Sequence, residues 1–121
     1  MTYSLAWENK GVFWKYTGTV SGEEIIEAST KIYGDPRFDA LDYKLVDFTE
    51  ADAIQISNEQ VMLLAFQHQA AEQSNANMIT AIVCDDNFQP AHDFANLFKD
   101  SNWEIKIFPS LEEARLYLAD R

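Results

Sequence analysis

The segment Met78-Ile79-Thr80-Ala81-Ile82-Val83-Cys84 constrains the fold more than any other part of the chain. A strand with one wet face alternates apolar and polar residues, and this one is apolar on both faces, as a central strand of a parallel sheet is. Parallel strands cannot be joined by tight turns and need crossovers, usually helical, so helix-period segments are expected on either side. Both are present.

Residues 3–8 set Tyr3, Leu5 and Trp7 against Ser4, Ala6 and Glu8, the period-two pattern of a half-buried strand. Asn9-Lys10-Gly11 turns the chain, with Gly11 free to take positive φ, and residues 12–20 return as the second strand of a hairpin. Ser21-Gly22-Glu23-Glu24 has capping-box spacing, and Ile25, Ala28, Ser29 and Ile32 share a face, so a helix is expected to about Tyr33. Gly34-Asp35-Pro36 ends it. Residues 37–42 read as loop, 43–48 as the third strand, and 49–56, rich in Asp, Glu and Ala, as a connection.

Ser57 or Asn58 caps a second helix over residues 59–73, with Val61, Leu64, Ala65 and His68 on one stripe and Met62 and Phe66 beside it. A third helix fits residues 90–99, with Ala91, Phe94, Ala95 and Phe98 on one face and Pro90 in the first turn. Residues 103–108 are the last strand. Ser110 and Glu113 then form a second capping box, opening a terminal helix through Ala114, Leu116, Tyr117 and Leu118. The order β-β-α-β-α-β-α-β-α describes a single α/β domain over residues 1–121 on a mixed sheet, its hairpin antiparallel and its helix-bridged strands parallel with right-handed crossovers.

Charge narrows the function. Twenty acidic residues against nine basic ones give a formal charge of −11, and the bases Lys10, Lys15, Lys31, Arg37, Lys44, Lys99, Lys106, Arg115 and Arg121 are scattered singly. Phosphate backbones and anionic membranes are both met by clustered bases, so neither nucleic acid nor a membrane surface is an expected partner. No apolar run approaches the ~20 residues of a membrane span, and Met1-Thr2-Tyr3-Ser4-Leu5-Ala6-Trp7-Glu8 lacks the zones of a signal peptide, so a cytoplasmic location is expected. The one cysteine, Cys84, suits a reducing compartment and reads as a small core residue.

Motifs with chemistry are few. Asp47 near the end of the third strand and Asp85-Asp86 after the fourth stand where ligands gather in such sheets, and they are candidate oxygen ligands for magnesium. The competing reading is that they solvate strand ends and cap helices. His68 and His92 have no zinc spacing, no nucleophile motif surrounds them, and the four glycines write no phosphate loop, so no catalytic residue and no cofactor is expected. Tyr3, Trp7, Phe13, Trp14 and Tyr16 crowd the hairpin, either to cover a small core or to present an interface.

The element order, the motif Tyr33-Gly34-Asp35-Pro36-Arg37-Phe38, and Leu45-Val46-Asp47-Phe48 leading to Ile54-Gln55-Ile56-Ser57 resemble the SpoIIAA-like branch of the STAS superfamily, whose founding members are anti-sigma factor antagonists. The resemblance covers nearly the whole chain. In those antagonists an Asp-Ser-Ser-Gly sequence puts a phosphorylatable serine at a helix start; Ser57 falls there, with Gln55 and Ile56 in place of the Asp and first Ser and Asn58 in place of the Gly. The resemblance therefore implies a phosphoacceptor or partner site at Ser57, Gln55 and Asn58, where helix-terminal amides would receive an anion; a plain N-cap is the other role open to Ser57. The function expected is a non-enzymatic regulatory or protein-interaction module, working as a homodimer through residues 49–58 and the hairpin with an unidentified protein partner. The alternative is a small-ligand or lipid-type binding domain, as in the Sec14 fold, with an apolar pocket between the sheet and the second helix.

Overall fold

Five strands lie side by side in chain order: β1 (Tyr3–Trp7), β2 (Gly11–Ser21), β3 (Tyr43–Gln55), β4 (Ile79–Val83) and β5 (Glu104–Phe108), in a computed structural model that describes residues 2–120. β1 is antiparallel to β2 and every later pair is parallel, the mixed α/β sheet that the element order predicts. β4 is buried along its whole length, because helices cover it from both sides.

The two faces are covered unequally. α1 (Gly22–Thr30), α2 (Asn58–Ala71) and α3 (Gln89–Asn96) pack on one, where Ile25, Ala28, Val61, Leu64, Ala91 and Phe94 meet Val12, Trp14, Tyr16 and Ile82. α4 (Leu111–Ala119) alone covers the other, setting Ala114 on Leu45, Ala81 and Val83. Alternation along β3 sorts its residues: Lys44, Val46 and Phe48 face the three-helix side, Tyr43 and Leu45 the α4 side.

Capping chemistry sets the helix starts. Ser21 forms a full box with Glu24. A second full box stands at Ser57 with Gln60, at the start of α2. At α4 the box is half made, since Ser110 Oγ accepts from the Glu113 amide while the Glu113 carboxylate takes the Ser110 hydroxyl rather than its backbone N–H. α1 stops at Thr30, short of Tyr33, in a turn that reaches Gly34 at φ 87°. Residues read as loop include a 3-10 helix, Pro36–Ala40, which Asp35 starts by accepting from the Arg37 amide.

Two further sequence expectations are corrected. Residues 49–55 are strand, not connection: they continue β3 beside Thr17 to Ser21 of β2 through two register shifts. Each shift inserts a residue, so the inward positions Phe48, Ala51 and Ile54 recur every third residue and hide the period-two signal. Gly11 does not take positive φ, which is found at Gly18 and Gly34. Its requirement is space, for a Cβ there would overlap the ring of Tyr43. Of the hairpin aromatics, Tyr3, Trp7 and Phe13 are half-buried. Trp14 and Tyr16 are buried, Tyr3 packs at a tilt against Tyr16 and Arg37 lies 3.7 Å over Trp7, while the exposed large apolar side chains among the described residues are Met62, Leu63 and Phe66 on α2, with Leu97 and Leu116.

Candidate functional site

A cavity of about 70 Å³ lies between the sheet and helices α1, α2 and α3. Its lining is almost wholly apolar, with Trp14, Val46, Leu64, Ile82 and Phe94 among the walls. The half-buried Phe48, Ile56, Phe88 and Pro90 mark the side that approaches solvent. Three buried polar residues line it as well: Lys44 from β3, Thr80 from β4 and His68 from α2.

Their surroundings set their protonation. The Nδ1 of His68 is 2.8 Å from the Leu64 carbonyl, which can only accept, so Nδ1 carries the proton and Nε2 does not. Edge-on rings of Tyr33, Phe94, Phe98 and Trp103 hold the imidazole. Burial, reinforced by the nearby Lys44, keeps its pKa well below the ordinary 6.5, so it is neutral. Burial likewise pushes the Lys44 amine well below 10.5. Its Nζ lies 4.8 Å from the centroid of the Trp103 ring, and Thr80 Oγ1 is buried without a hydrogen-bond partner.

The residues singled out in the sequence fall elsewhere. Ser57 is exposed at the start of α2, where its Oγ accepts from the Gln60 amide at 3.1 Å and the Gln60 side chain accepts from the Ser57 amide at 2.9 Å. Gln55 ends β3, Asn58 opens α2, and both are exposed. Asp47 is buried at the point where β4 stops pairing with β3, its Oδ1 accepting from the amide and hydroxyl of Thr49. Asp85 and Asp86 are exposed, Asp85 accepting from the Asn87 amide at 2.9 Å. Among the described residues no three His, Cys, Asp or Glu side chains group as ligands for a metal ion. Asp47 and Asp85 each accept from a backbone amide two residues on, as Asx turns do.

His68 lies on the apolar stripe of α2 that helical spacing marks, whereas no motif marks Lys44 or Thr80 as site residues. Lys44 shares the inward alternation of Val46 and Phe48, which was the available signal. Cys84 is buried and free, its thiol pushed up to about 11 by burial and by Asp85 and Asp86.

Beyond Asp47, β3 has β2 on one side and no strand on the other, so residues 49–55 offer an open strand edge. A wider cleft of about 420 Å³ runs beside it, lined by Thr49, Asp52, Ile54, Asp85, Phe88 and Pro109 among others.

No protein-family model matches the chain, and no curated protein is found similar to it in sequence. Solved structures are. The anti-sigma factor antagonist SpoIIAA in its unphosphorylated form superposes with a TM-score of 0.61 at 12% identity, over 98% of this chain and 97% of that one. The phosphorylated form of the Bacillus cell fate determinant SpoIIAA gives 0.61 at 14%, over 96% and 98%. An uncharacterised DUF3478-family protein from Shewanella loihica PV-4 gives 0.57 at 15%, over 96% and 91%. At these identities the likeness is one of architecture, and over nearly its whole length this chain has the SpoIIAA-like fold.

Proposed function

We propose that the chain is a non-enzymatic regulatory module of the cytoplasm that binds a protein partner across the outer half of β3 and the start of α2. The observation that carries this reading is the closeness in the chain of an open strand edge, residues 49–55, an exposed serine at a helix start, and Met62 and Phe66 exposed further along the same helix. An open edge supplies backbone donors and acceptors to an added strand, and exposed apolar side chains supply area to bury. The neighbouring solved structures include SpoIIAA in two phosphorylation states, which supports asking whether Ser57 is a switch here. A phosphate on Ser57 would meet the free amides and positive end of α2.

The test compares wild type with Ser57→Asp, Ser57→Ala and Phe66→Asp in affinity capture from the native host. Phe66 is 69% exposed, so Phe66→Asp keeps the fold and should lose the partner. Ser57→Asp should keep the fold and change the captured set; Ser57→Ala should bind as wild type while losing about 0.5–2 kcal/mol of stability. Identical partners in all four proteins would sink the reading. Self-association through the same α2 face makes a homodimer, and light scattering that gave a monomer at high micromolar concentration would remove it.

A second reading, a small-ligand binding domain, is favoured by the cavity between the sheet and α2. Its apolar walls and buried polar residues are of the kind that line ligand pockets, and its open side toward Phe48, Ile56 and Phe88 leaves room beyond the enclosed 70 Å³.

A further inference from the structure

Lys44 and Thr80 are direct register partners on β3 and β4, so their side chains leave the sheet side by side toward the cavity. Both are almost completely buried. Neither has what burial ordinarily demands. A buried amine calls for a counter-charge and a buried hydroxyl for a hydrogen-bond partner. No ion pair involves Lys44 among the described residues, burial alone is responsible for its shifted pKa, and Thr80 Oγ1 has no partner. The chain has twenty acidic residues, and none has been placed here.

An ammonium and a hydroxyl at the floor of an apolar cavity are jointly complementary to one kind of group, an anion with oxygen acceptors attached to an apolar body. A carboxylate fits both requirements: one oxygen can take a charge-assisted bond from Lys44 and the other the Thr80 hydroxyl. The Trp103 ring face stabilises the charged form of Lys44 that this requires. His68, whose Nδ1–H is committed to Leu64, remains neutral and adds no competing positive charge. Resting on the ligand-binding reading above, we propose that this cavity binds the head of a small apolar carboxylate on Lys44 and Thr80, its tail running past Val46 and Ile82 to the open side at Phe48 and Phe88.

The test is a protein-detected NMR titration of the full chain with hexanoate and, separately, 1-hexanol. Hexanoate should shift the amides around Lys44 and Thr80 and bind at least about tenfold more tightly than 1-hexanol, the ratio that one charge-assisted hydrogen bond supplies. Lys44→Met should remove that preference and leave 1-hexanol binding intact; Thr80→Val, of similar shape, should reduce it partly. If both probes bind alike in the wild type, or hexanoate binds Lys44→Met as well as wild type, head-group recognition is overturned while the apolar-pocket reading stands. If neither probe binds, both fall.

Discussion

On the face covered by α4, charge near the core is paired. The Arg115 guanidinium reaches across from α4 to grip both carboxylate oxygens of Glu8 at 2.6 and 2.7 Å, and Tyr43 donates its hydroxyl to the same carboxylate. On the face covered by three helices the charge is deeper and, among the described residues, has no ion-pair partner, for Lys44 sits among rings and aliphatic walls with its Nζ over Trp103. The first arrangement ties the last helix to the first turn. The second leaves a buried amine without a counter-charge, an arrangement that costs stability rather than adding to it.

Deleting core side chains on each face tests the contrast most heavily. Leu45→Ala, under α4, should cost about 2–5 kcal/mol and fall at the upper end, since Leu45 is fully buried in a filled layer. Ile82→Ala should fall at the lower end of that range, because Ile82 already borders an open cavity. Denaturant midpoints measure both. Equal losses would mean that the cavity side is packed as tightly as the other.

Lys44→Met should go the other way and stabilise the protein near neutral pH, because it removes an amine whose charged form burial disfavours. In the wild type the folded amine titrates well below 10.5, so between that depressed value and 10.5 the unfolded chain binds more protons and stability climbs as pH rises. Lys44→Met should flatten this climb. His68, also depressed, contributes in the same sense lower down: its share is present above 6.5 and is lost as pH falls below it. Urea melts across pH 5 to 10 would show both slopes, and a destabilised Lys44→Met would break the contrast.

The smallest effect belongs to the paired face. The Arg115 bond holds the Glu8 carboxyl below its usual 4.5, so its contribution is complete above 4.5 and disappears as pH falls through the depressed value. Both side chains keep partial exposure, 40% for Arg115 and 25% for Glu8, and solvent screening limits the pair to about 1 kcal/mol. Glu8→Gln should therefore cost at most that at pH 7 and nothing in strong acid, as acid-unfolding curves would report.

The sequence by itself determined the order of elements, the caps at Ser21 and Ser57 and the mixed sheet, because each is written locally in alternation, helical spacing or a serine three residues before its partner amide. The β3 extension escaped such reading because two inserted residues change its period from two to three. Gly11 escaped too, since what requires a glycine there is a ring from residue 43. Only the tertiary structure decided that Lys44, one of nine bases scattered through the chain, lies beside Thr80 beneath α2. Strand alternation sends Lys44 to one face, but whether helices bury that face, and whether any of the acidic residues follows it in, depends on contacts between segments far apart in the chain. Desolvation and missing partners are properties of an assembled interior, and no local pattern encodes them.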